Sequence, residues 1–203
     1  MISHFFIGLV MSYVGLLPPG MMNMTVVRHS LTSGLKPAYK FSAGAATIVA
    51  IQSLIALSFA QLLLDNPQII RNLRKAAVFV FIALGIYFFR LAKKEFVQRD
   101  KKSRKNLYAA GIIMSSMNML AIPFFFGYST LMNMKGWLLF EFPEIYSFVI
   151  GAVTGSFFLF VTYAQLADFV SRKVGFLAKN INYILAILFV ILAIITFAGL
   201  IKS

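Results

Sequence analysis

Residues 16–28 read LLPPGMMNMTVVR, and they interrupt an apolar run that begins near Phe5. Pro18, Pro19 and Gly20 cannot continue a helical ladder. Each proline lacks an N–H and clashes with the carbonyl one turn back, at a cost of about 3 kcal/mol in a helix interior. In lipid the freed carbonyls need partners, so broken backbone survives only where protein or a water-lined cavity surrounds it. A helix interrupted at membrane depth therefore points to a binding or transport site. Asn23 adds a polar side chain one turn beyond the break.

The setting for this break is a membrane. Of the 203 residues 60% are hydrophobic and only 12% are charged, against about 25% charged in soluble domains. The chain is expected to be all-α and polytopic, with no polar stretch long enough for a separate soluble domain. The net charge of +13 sits between apolar runs, so topology explains it and no nucleic-acid partner is expected. Cysteine is absent, which excludes disulfides, thiol chemistry and cysteine metal sites. The opening MISHFFIGLV has no basic leader or small-residue cleavage pattern and is expected to be a retained first span.

Apolar runs long enough to cross a bilayer fall at residues 4–27, 38–64, 74–92, 107–133, 145–168 and 180–201, predicting six transmembrane helices. The links carry breaker chemistry: Ser33-Gly34 with Lys36-Pro37, then Asp65-Asn66-Pro67, then the polar run Arg90 to Lys105, then Pro143, then Arg172, Lys173 and Lys179. The expected organisation is a single membrane domain over 1–203, with a three-helix half at 1–92, a basic connection at 93–105 and a second half at 106–203. Connections one, three and five hold three, eight and three of the 19 basic residues. That asymmetry puts them in the cytoplasm and both termini outside. Tyr39, Tyr87, Tyr108, Tyr146, Tyr183 and Trp137 lie near span ends, as an interfacial aromatic belt requires.

The halves echo one another. Gly44, Ala45 and Thr47 match Gly151, Ala152 and Thr154 at an offset of 107, and Phe59-Ala60-Gln61-Leu62 parallels Tyr163-Ala164-Gln165-Leu166 at 104. Three spans per half give the halves opposite orientation, the inverted 3+3 repeat of many secondary transporters. The fourth span then supplies a second interruption, Asn118-Met119-Leu120-Ala121-Ile122-Pro123, about 100 residues after the first. Paired broken helices at matching places point to a substrate site. The candidate substrate-binding residues are Pro18, Pro19, Gly20, Asn23, Gln52, Asn118 and Pro123. Gln52 has two readings, a cavity-lining group or an interhelical hydrogen bond worth under about 1 kcal/mol.

All six acidic residues (Asp65, Glu95, Asp100, Glu141, Glu144, Asp168) lie in connections or at span ends. His4 and His29 also lie at span ends. No intramembrane nucleophile, base or metal set exists, so neither an enzyme nor a cofactor or metal is expected. Asp168 and Arg172 read as an exposed pair at i,i+4. Gly151-Ala-Val-Thr-Gly155 is a small-xxx-small pattern that lets helices approach closely, inside the bundle or between subunits, which leaves a homo-oligomer open. The Arg90–Lys105 run anchors topology and attracts anionic lipid at about 1 kcal/mol per basic residue near the surface.

The PPGMMN and NMLAIPFFFGY runs, in a chain of about 200 residues with six apolar spans, resemble the lysine-exporter (LysE/RhtB) family. The first-half signature of that family is Pro-Gly-Pro followed by Asn. Pro19 and Gly20 match it, Asn23 matches with a one-residue slip, and Met21 replaces the second proline. The second-half signature is Asn-Pro; Asn118 matches and Met119 departs. The resemblance implies a bacterial inner-membrane protein that exports amino acids or related small metabolites. Family members often carry an acidic residue in the second helix, useful for proton coupling, where this chain has Gln52. That leaves the energy source open between a proton bound elsewhere and facilitated flux. The other reading of the chain is a non-transporting membrane scaffold or assembly factor, for which the small-residue pattern and basic loop would suffice.

Overall fold

Proline and glycine placement decides where the helices stop. A computed structural model describes residues 1–64, 66, 78–90, 106–118, 120–173 and 175–201, with side chains of the final helix over 183–198. All regular structure among the described residues is helical: α1 Ile2–Gly15, α2 Met21–Ser33, α3 Leu35–Leu64, α4 Val78–Arg90, α5 Leu107–Ser116, α6 Ala121–Met134, α7 Glu144–Gln165, α8 Ala167–Lys173 and α9 Gly175–Ile201. Two of these, α3 and α7, are long and apolar enough to cross a membrane by themselves. A third crossing follows if α5 and α6, bent by 65° at their junction, count as one span. The remaining apolar helices, α1, α4 and the Tyr183–Ala198 part of α9, are shorter. Each of the six expected spans overlaps helix among the described residues, the first as two helices, but length and composition identify only two or three crossings there.

The connections follow their sequence chemistry. Gly34 alone separates α2 from α3 at φ +89°, a left-handed conformation that favours glycine. Pro37 falls in the first turn of α3, where a missing N–H costs nothing. Asn66 Nδ2 donates to Leu62 O at 2.9 Å and closes the end of α3; Asp65 and Pro67 lie outside the described residues. Asn106 Oδ1 accepts from Ala109 N at 3.1 Å and caps α5. Helix α7 begins directly after Pro143. Of the basic run 90–105, only Arg90 is among the described residues.

Two packing units divide the chain, and each draws on both sequence halves. One comprises Met1–Gln61 with Lys101–Val174, the other Leu62–Asp100 with Gly175–Ser203. In the first, α1 lies against α7 and α3 against α5, with backbones in direct contact. A Cβ on Gly8 would strike the Phe148 carbonyl, one on Gly151 the Phe5 carbonyl, and one on Gly155 the Leu9 carbonyl. The second pair repeats this arrangement: a Cβ on Gly111 would strike the Phe41 carbonyl, and one on Gly44 the Tyr108 carbonyl. Lipid offers no hydrophobic drive between helices, so close packing of small residues carries their association. The 151–155 glycine pattern is spent here, on α1.

The likeness of these two interfaces has a sequence counterpart stronger than the one read from 44–47. Residues 8–12 are GLVMS and residues 111–115 are GIIMS. Their partner stretches, 41–47 and 148–154, read FSAGAAT and FVIGAVT. Interior clusters around Phe125, Phe148 and Leu57, and around Phe41, Leu159 and Phe160, fill the space beside the two interfaces.

In the second unit α4 and α9 run antiparallel. Phe81 and Phe88 meet Phe189, and Phe89 meets Tyr183. The Phe88 and Phe189 rings stack 5.6 Å apart at 9°.

Candidate functional site at two helix breaks

The first break spans Leu16–Gly20. Pro18 and Pro19 cannot supply the N–H groups that the Val14 and Gly15 carbonyls would receive in a continuous helix. The chain turns instead: Leu17 N donates to Val14 O at 3.2 Å, and Met24 N donates to Gly20 O at 3.0 Å to open α2. The carbonyls inside the break find side chains. Asn23 Nδ2 donates to Leu16 O at 2.8 Å and to Pro18 O at 3.0 Å. Tyr163 Oη, from α7, donates to Leu17 O at 2.6 Å. Two further bonds hold this region to α7. Tyr13 Oη pairs with Thr162 Oγ1 at 3.1 Å, and Ser30 Oγ donates to Ala164 O at 2.6 Å.

The second break covers 117–120, between α5 and α6. Gln52 Nε2, from α3, donates to Ser115 O at 2.9 Å and reaches Asn118 O at 3.5 Å. Asn118 Oδ1 accepts from Leu120 N at 3.4 Å. Met119 lies outside the described residues. Pro123 is the third residue of α6, in the turn where its missing N–H has no intrahelical partner to lose. The interruption thus precedes that proline and is centred on Asn118.

Both breaks are therefore held by a polar side chain from a long helix of the opposite sequence half. They also meet. The Phe124 ring, on α6, occupies the space beside Gly15 at the end of α1, and it packs 4.8 Å from the Tyr128 ring. Asn23 and Gln52 are buried, Pro19, Gly20 and Asn118 are half-buried, and Pro18 and Pro123 are exposed. Among the described residues, two buried polar atoms have no hydrogen-bond partner, Ser12 Oγ and Gln52 Oε1.

Gln52 thus makes the interhelical hydrogen bond, while its carbonyl oxygen remains free. Sequence reasoning passes over Tyr163, Ser30, Gly15 and Phe124. Tyr163 has a visible signal, since it opens the Tyr163-Ala164-Gln165-Leu166 echo. His4 is buried, and its Nε2 accepts from Leu139 N at 3.1 Å, joining α1 to the segment before α7. Asp168 and Arg172 are both exposed on α8.

Two broken helices whose flanks touch, each braced by an unbroken apolar helix, are an arrangement that helical membrane transporters use. The LysE type translocator family model matches residues 13–198. The chain belongs to this family, as the motif resemblance at Pro19-Gly20, Asn23 and Asn118 indicated, and is a translocator. No curated protein and no solved structure matches it.

Proposed function

We propose that this chain is a secondary transporter that exports amino acids or related small metabolites across a bacterial inner membrane by alternating access. The observation that carries this reading is the contact between the helices flanking the two breaks, at Gly15 and Phe124. Broken helices facing one another are how transporters present backbone and side-chain polar groups to a solute within the bilayer. Pro18, Pro19, Gly20, Asn23, Gln52, Asn118 and Pro123 are the proposed substrate-binding set, with Tyr163 added from the geometry and Phe124 as packing beside Gly15. Within it, Asn23 and Tyr163 hold the first break in shape, half-buried Asn118 faces solute, and Gln52 Oε1 is a buried acceptor that a solute reaches only when the site opens. An unpaired buried acceptor costs about 1–3 kcal/mol, a cost removed when a donor such as an ammonium group reaches it.

The proposed architecture is six spans in an inverted 3+3 repeat, with halves at 1–92 and 106–203 joined by the basic connection 93–105. The paired glycine interfaces support it, since one set of residue correspondences relates α1 with α7 to α5 with α3. Both termini lie outside the cytoplasm in this reading.

Export of radiolabelled amino acids from loaded cells tests the proposal. Asn118→Ala and Gln52→Met are expected to abolish or sharply reduce efflux at unchanged protein level. Unchanged efflux in both variants would remove the proposed site. Purified protein should also gain thermal stability from its substrate, by about 2.7 kcal/mol at one hundred times Kd. No stabilisation across an amino-acid panel, with no flux in proteoliposomes, would favour the scaffold reading.

A further inference from the structure

The pair of helices in the second packing unit carries a groove that the transport reading leaves unused. It lies between α4 and α9, has a volume of about 470 Å³, and is lined by Gly85, Ile86, Phe89, Arg90, Ile187 and Ile191 among others. That volume falls within the range of small-molecule sites, about 300–1,000 Å³. Gly85 sets its depth, since a Cβ there would come within 3.3 Å of Val190 Cγ2 on α9. The walls are apolar and open: Ile86 is 50% exposed, Ile187 61% and Ile191 47%.

Arg90 is the only charged group in the lining among the described residues, and it is the last described residue of α4. The groove therefore has hydrocarbon walls and a cation at one end. A guanidinium on a long stem reaches the interface while its methylenes stay on apolar surface, and its planar fork pairs with phosphate through two hydrogen bonds. The sequence continues from Arg90 with seven more basic residues over 93–105, so the connection as a whole favours an anionic surface.

We infer that this groove holds an acyl chain of an anionic phospholipid whose phosphate lies on Arg90. The inference rests on the chain being in a membrane and does not depend on what it exports. Charge decides the occupant. A second copy packed here through the same face would offer Arg90 no anionic partner, since no carboxylate is among the lining residues.

The test uses the full chain reconstituted in bilayers that mix phosphatidylcholine with phosphatidylglycerol. Trp137 is the single tryptophan, so Trp137→Phe combined with Ile187→Trp gives one fluorophore in the groove. Brominated acyl chains are carried by one lipid or the other. Brominated phosphatidylglycerol is expected to quench more strongly than brominated phosphatidylcholine at equal mole fraction. Arg90→Gln, an exposed change that leaves the helix intact, is expected to cut this preference about fivefold, the equivalent of about 1 kcal/mol for one basic group at an anionic surface. Equal quenching by the two lipids with Arg90 present would overturn the inference. So would a preference that survives Arg90→Gln, or energy transfer between labelled copies that displaces lipid from grooves carrying the Ile187→Trp change. Asn118→Ala in the same background should leave quenching unchanged, which separates a failure here from a failure of the export reading.

Discussion

Gly15 and Phe124 share one volume: the Phe124 ring fills the space that a side chain on Gly15 would need. The first residue ends α1 at one break and the second lies in the first turn of α6 beyond the other. Gly15→Ala is expected to displace the ring and lower efflux several-fold, while costing little stability because the obstructing atoms end a side chain. Phe124→Ala in the same chain should restore efflux. A double-mutant cycle on initial export rates measures this, and additive effects of the two changes would show that the breaks do not act through this contact.

The two glycine interfaces should respond alike. Gly8→Val and Gly111→Val each drive a Cβ into backbone, at Phe148 and at Phe41, and backbone cannot yield as a side chain does. Each variant is expected to lose several kcal/mol, beyond the 1–3 kcal/mol typical of overpacking, and to lower the thermal midpoint by a similar amount. Gly127→Ala is the contrast. Nothing lies within 4 Å of the added atom, so the change should be neutral or stabilising by up to about 1 kcal/mol through helix propensity. Thermal unfolding in detergent ranks the three.

Tyr163→Phe removes one donor from one carbonyl of the first break, that of Leu17. The expected loss is about 1 kcal/mol, within the range measured for hydrogen bonds between membrane helices, with an accompanying fall in transport. Tyr163→Phe with wild-type stability and wild-type efflux would show that the break does not need this brace.

Asn23→Ala should cost more than Tyr163→Phe, because it strips the donor from two carbonyls, of Leu16 and Pro18. Asn23→Asp should not rescue it fully, since a carboxyl kept neutral by burial has one proton to give where the amide serves two carbonyls. Urea or thermal unfolding that ranks Asn23→Asp with the wild type would contradict the assigned bonds.

Apolar runs show where helices lie but not how many cross, with two or three long enough among the described residues, and proline is enough to find the first break, because lipid removes water as the alternative partner for loose carbonyls. The second break is found through Asn118 and Pro123 together, yet Pro123 sits inside α6, where the first turn tolerates it. What sequence does not encode locally is how each loose carbonyl is satisfied. Leu17 is bonded from Tyr163, 146 positions away, and no local pattern specifies such a pairing. The internal echo is read most readily from Gly44 and Gly151, while the cleaner GLVMS and GIIMS match gains its meaning only from the carbonyl each glycine faces, a property of the packed pair.

The cross-half pairing fixes an order of events during synthesis. Helix α1 leaves the ribosome before α7, but the surface it needs belongs to α7, whose Gly151 comes after α2 to α6. Domains of most proteins complete themselves as they emerge; here the Gly8 face of α1 waits for its partner until more than a hundred further residues have been made.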